Sequence, residues 1–104
     1  MISFEVRLWQ VADAILDNSV AVDIGESDEA VIVGERVRRA GWDAAAAAGE
    51  VDAMGWPPAL SVMPVTLVRE DWEYLVEQCD RWAPFEEPGS LDLLRGRVSD
   101  ALSA

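Results

Sequence analysis

Carboxylates are the main reactive groups of this chain: it has twenty aspartates and glutamates, no histidine and one cysteine, Cys79. All eight of its cations are arginine. Without histidine there can be no Ser-His-Asp triad, no Cys-His pair and no imidazole metal site. Without lysine no Schiff base can form. A zinc ion would have to rely on Cys79 and carboxylates, a poor ligand set. Neither GxxxxGK[ST] nor GxGxxG occurs, so no phosphate-binding loop is expected. Carboxylates could still hold a hard cation, and Asp23, Glu26, Asp28 and Glu29 are the densest group. They lack the full D-x-[DN]-x-[DN]-G-x5-E calcium pattern and read as the charge of a helix start. Nothing selects two of the acids as a glycosidase-type pair. Cys79 falls on an apolar stripe and reads as a small buried hydrophobe, with Arg81 directed to another face. The expectation is a protein with no catalytic residue, no metal and no cofactor.

The net charge is −12 over 104 residues. It is spread along the chain, at Asp13, Asp17 and Asp23 to Glu29, at Glu70 to Asp80, and at Glu86 and Glu87. Such a surface repels nucleic-acid phosphates and anionic membranes and favours basic partners. A hydrophobic fraction of 51% argues for a folded domain and against a solvated tail. The length suits one domain with one core. A single thiol makes no internal disulfide, and no apolar run approaches 18 residues, so a cytoplasmic protein is expected. Arg36, Arg38 and Arg39 form the one basic cluster, a weak nucleic-acid signal inside so negative a field.

These groups must be carried by a small set of elements. Ile2, Phe4 and Val6 alternate with polar residues. Leu8, Val11, Ala12, Ile15 and Leu16 then follow helical spacing. The pattern predicts a strand over about 2–7 running into a helix that ends near 16, with one N-terminal helix from Ser3 as the alternative. Val20 to Ile24 favours a further short strand closed by Gly25. Ser27 is an N-cap candidate for a helix over 28–40 that ends at Gly41 as a left-handed cap. Asp43 and the alanines after it suggest a short separate helix. Residues 51–58 read as loop, and Pro64 means that the next strand is either short, near 65–67, or on an edge. Trp72, Leu75, Val76, Cys79 and Trp82 share one face of a helix over 69–83, stopped by Pro84. Glu77 and Arg81 are an i,i+4 pair on it. After a connector over 84–89, Ser90 is the N-cap candidate for a last helix with Leu91, Leu94, Val98 and Leu102 on one face. It should form an antiparallel pair with the preceding helix.

Five tryptophans stand in this background. Trp72 and Trp82 read as core. Trp9 falls off the Leu8/Val11/Ile15 stripe and reads as exposed, and Trp56, in the rigid Gly-Trp-Pro-Pro loop, as either cover for a small core or an anchor for a partner.

The sequence therefore predicts one α+β domain with short N-terminal strands and a helical C-terminal half. The expected function is a non-catalytic interaction module, an inhibitor, immunity or regulatory factor that binds a basic protein surface. DNA mimicry is a special case of it. Glu70, Asp71, Glu73, Glu77, Asp80 and Trp56 are the expected contact residues, with no direct nucleic-acid or membrane contact. Two alternatives stand beside it: an assembly subunit that self-associates as a homo-oligomer, and a small carboxylate-based enzyme or ligand binder.

Overall fold

A computed structural model describes residues 1–86 and 89–104 of the chain; Glu87 and Pro88, part of the expected connector, lie outside the described residues. The fold is α+β. The described residues form strands β1 (Ile2–Glu5) and β2 (Val62–Val65), and helices α1 (Val6–Asp23), α2 (Asp28–Ala47), α3 (Arg69–Trp82) and α4 (Ser90–Ser103). A short 3-10 turn at Ala83–Phe85 follows α3.

The alternation at the N-terminus does make a strand, but it ends at Glu5, and the helix begins at Val6. Two backbone contacts set that boundary. The N–H groups of Val6 and Arg7, which a helix start leaves without partners, donate to the carbonyls of Ser61 (2.9 Å) and Ala59 (3.0 Å). β1 and β2 pair antiparallel, with Ile2 opposite Val65, Ser3 opposite Pro64 and Phe4 opposite Met63. Ile2, Phe4, Met63 and Val65 point into the core. Proline has no N–H, so Ser3 and Pro64 form a pair whose backbone groups face away from each other. Arg97 of α4 then donates to the outward carbonyl of Ser3 at 2.8 Å. Both edges of the ribbon are thus blunted, one by an arginine and the other by a proline.

The expected strand over 20–24 is instead the last turn of α1, which runs to Asp23 before Gly25 turns the chain at φ +83°. Ser19 and Val20 are buried there. That burial outweighs the β-branched preference of Val20, Val22 and Ile24. Ser27 does cap α2, its hydroxyl accepting from the Ala30 N–H at 3.3 Å. Gly41 does not end the helix, and the expected second helix after Asp43 is a continuation of α2 to Ala47. The reason is packing. Gly34 and Gly41 are both buried on the side of α2 that faces its neighbours. At Gly41 the Trp9 indole of α1 lies directly on the backbone, where a Cβ would overlap it. At Gly34 a Cβ would come within 2.7 Å of Val20 and 3.0 Å of the Tyr74 hydroxyl.

Trp9 is fully buried, contrary to the expected exposure, at the centre of an aromatic cluster. Its ring centroid lies 5.2 Å from Phe4 and 6.3 Å, edge-on, from Trp72. Leu75, Leu94 and Val98 complete the core beneath α3 and α4. Trp42 remains half in solvent beneath Arg38, whose guanidinium carbon sits 4.9 Å from the ring centroid.

Cys79 is buried in this core, and burial, reinforced by Asp80, pushes its thiol up to about 12. The native thiol should therefore resist a disulfide reagent that labels it at once in urea. An unfolded thiol loses its proton near pH 8.5–9, whereas the folded one holds it to about 12. Stability contributed by Cys79 is thus fully present below pH 9 and is lost as pH rises from there. The expected slope is up to about 1.4 kcal/mol per pH unit. Burial of Tyr74 raises its phenol too and acts in the same direction. Urea unfolding at pH 8 and pH 10 should show the decline in the wild type and a shallower one in Cys79→Ala. Equal slopes would contradict this account.

Candidate protein-binding surface

Helix α3 carries most of the expected contact residues, and its local logic follows the sequence. Glu70 and Asp71 occupy the first turn and Arg81 the last, matching the helix dipole at both ends. Trp72, Leu75, Gln78 and Cys79 are buried, which turns the opposite side outward. Glu70, Glu73, Glu77 and Asp80 follow one another at intervals of three and four residues and are all exposed. They form a stripe about 15 Å long at 1.5 Å per residue.

Asp71 is not on that stripe. Its side chain retains 4% of its exposure, and the Arg36 guanidinium of α2 grips it with two hydrogen bonds, Nε to Oδ2 at 2.8 Å and Nη2 to Oδ1 at 2.6 Å. The bidentate clamp holds Arg36 more firmly protonated. Asp71 is therefore an internal tie between α2 and α3, and its assignment to the contact face is corrected. Asp80 is exposed but also engaged: Arg95 of α4 donates to it at 2.6 and 3.3 Å and holds its carboxyl below the usual aspartate range. Glu73 has a loose partner in Arg69 at 3.7 Å. Glu70 and Glu77 make no ion pair among the described residues. The expected Glu77–Arg81 pair is replaced by a longer-range one. Arg81 turns to Asp23 at the end of α1, 3.0 and 3.1 Å away.

The same use of arginine recurs across the molecule. Arg38 links α2 to Asp13 and Asp17 of α1. Arg69 reaches the Leu102 carbonyl of α4. Near Arg81, Ser19 donates to Gln78 at 2.8 Å and accepts from the Trp82 indole at 2.7 Å, a polar seam closing α1 on α3. Arginines thus bind one element to the next. The expected basic cluster is dispersed, with Arg36 and Arg38 committed internally and Arg39 left in solvent. The acidic excess is what the surface displays.

Two shallow grooves flank the stripe. One, of about 340 Å³ between α3 and α4, is floored by Val76 and Leu102 and edged by Glu73 and Glu77. The other, of similar size between α2 and α3, is lined by Ala30, Val33 and Tyr74, with Glu29 and Glu77 at its margin and the Asp23–Arg81 pair at its α1 end. Glu77 stands on the ridge between them. Apolar floors beneath carboxylates suit the long stems and charged ends of lysine and arginine.

Trp56 is half-buried against the core and does not project as a free anchor. Its loop is fixed by Asp52, whose carboxylate accepts from the N–H groups of Met54 (2.8 Å) and Trp56 (3.0 Å). Met54, 82% exposed, is the side chain that this loop presents. A methionine in a Gly- and Pro-rich loop carries no periodic signal, and the sequence reading missed it. Asp23, Glu26, Asp28 and Glu29 do not converge. Among the described residues no three acids or cysteines come together as a metal site. No helix among them is long and apolar enough to cross a membrane. No family model, curated protein or solved structure matches the chain.

Proposed function

We propose that this protein is a non-catalytic acidic module that docks on a basic surface of another protein through the outer face of α3. The observation that supports this reading is the exposed Glu70/Glu73/Glu77 stripe standing between two shallow grooves, each with apolar side chains in its lining. A surplus of surface carboxylates steers a cationic partner inward, and the grooves hold its side chains once it arrives. Occupying that surface makes the protein an inhibitor, immunity factor or regulator. Where the partner's surface is one that binds nucleic acid, the stripe stands in for phosphates. The cytoplasm is the compartment this reading assigns.

The test is affinity capture from native lysate, followed by kinetics with the recovered partner. A variant with Glu70, Glu73 and Glu77 all changed to Gln should lose that partner. A variant changing Glu26→Gln, Asp28→Asn and Asp43→Asn should keep it. The association rate should fall at least about tenfold between roughly 0.02 M and 0.2 M salt, as the Debye length shrinks. A rate indifferent to salt would remove the steering role, and binding that survives the α3 changes would move the contact elsewhere.

A further inference from the structure

The outer face of α4 holds a residue that the single chain does not explain. Gly96 sits in the middle of a 14-residue helix, where glycine is the least favoured residue after proline. Gly34 and Gly41 are each required by a neighbour that leaves no room for a Cβ, but a Cβ at Gly96 would meet nothing within 4 Å. The open space belongs to a groove of about 630 Å³ between α4 and the start of α1. Leu8 lies along it, and Leu93, one turn before Gly96, is 67% exposed at its margin. Its charges are mixed. Arg7, paired with Glu5, stands at the start of α1, Arg97 leans from α4 to Ser3 of β1, and Asp92 and Asp100 stand on α4. Arg97, Asp92 and Asp100 make no ion pair among the described residues.

We infer that this face is a self-complementary interface, in which Leu93 of a second copy fills the dent at Gly96. A uniformly basic partner would meet Arg7 and Arg97 there, and a uniformly acidic one Asp92 and Asp100. A surface carrying both signs around an apolar dent is matched by its own two-fold image. At about 100° per residue, Leu93 and Gly96 fall on either side of the outward line of α4, with Arg97 beyond Leu93 and Asp100 near the centre. A two-fold axis running along the helices lays Leu93 of one copy over Gly96 of the other. It also sets Arg97 beside Asp100 of that copy. Glycine is what allows the two helices to approach so closely. A contact of this size is at the small end of specific interfaces, so a micromolar or weaker association is expected. Each copy carries a net charge of −12, so the pair also works against its own repulsion.

That repulsion gives the test its sign. Sedimentation equilibrium from about 5 to about 500 µM should show a monomer–dimer equilibrium that tightens as salt is added, the reverse of binding through α3. Leu93→Asp should be monomeric throughout. Gly96→Leu should also be monomeric while its Tm stays level or rises, because the added side chain meets open space within the chain. Arg97→Asp and Asp100→Arg should each weaken pairing at least about tenfold, and an equimolar mixture of the two should restore it as a heterodimer. The α3 glutamine variant should dimerise like the wild type. A single monomeric species over the whole range would overturn the inference. So would a dimer that tolerates Leu93→Asp, or charge variants that mixing fails to rescue.

Discussion

Replacing Trp9 with alanine is expected to remove about 4 kcal/mol of stability, a large share of the roughly 5–15 kcal/mol that a domain of this size holds. The indole is fully buried and touches β1 through Phe4 and α3 through Trp72, and it lies on α2 at Gly41. Its removal leaves a cavity that three separate elements would have to close together. Trp9→Phe should cost much less, about 1 kcal/mol, for a specific reason. The buried Nε1 of Trp9 finds no acceptor among the described residues, because the α2 backbone against it is already hydrogen-bonded along the helix. Phenylalanine gives up volume but also removes that unsatisfied donor. Urea unfolding followed by circular dichroism measures both changes. A loss under about 1 kcal/mol for Trp9→Ala would mean that the aromatic cluster is not the centre of the core.

The second large effect is expected at Gly41. By helix propensity alone, alanine there should stabilise α2 by about 1 kcal/mol. A net loss of about 3 kcal/mol is expected instead, since the new Cβ would overlap Nε1 of Trp9 and come within 2.5 Å of Cε2 and 2.9 Å of Cζ2. The indole is packed on all sides and cannot swing away. Gly96→Ala is the internal control: with the same residue change and nothing within 4 Å of its Cβ, it should gain about 1 kcal/mol. Trp9→Leu should relieve much of the Gly41→Ala loss, so the double variant should be less destabilised than the two singles summed. Strict additivity would show that the two residues do not meet.

Those two positions also mark where sequence reasoning stopped. The elements with strong periodicity were legible. α3 lies within a turn of its expected bounds, α4 forms where its stripe places it, although Ser90 is its first residue and makes no side-chain cap, and the alternation of Ile2 and Phe4 does form a strand. The Leu8/Val11/Ala12/Ile15/Leu16 spacing centres the face too far from Trp9. Ala12, Ile15 and Leu16 are buried as that spacing expects, but the buried face extends to Trp9, Ser19 and Val20, with Leu8 and Val11 on its flank. That offset hid the reason for Gly41, since a glycine that receives an indole looks, in one dimension, like a glycine that ends a helix. The candidate site was partly readable on the same grounds. Helical spacing places Glu70, Glu73, Glu77 and Asp80 on one face. It cannot show that Asp71 is held by Arg36, 35 residues earlier, or that Arg81 prefers Asp23, 58 residues away, to Glu77. Partner choice among charges is set by which helices touch, and that information is non-local.

The ribbon of β1 and β2 has a consequence for how copies of this chain can meet. Fibrillar growth needs an open row of backbone donors and acceptors on which another extended segment can stack. Here Pro64 interrupts one row and Arg97 occupies the other at Ser3. Among the described residues, the ribbon offers a crowded solution no uninterrupted edge from which cross-β layers could spread.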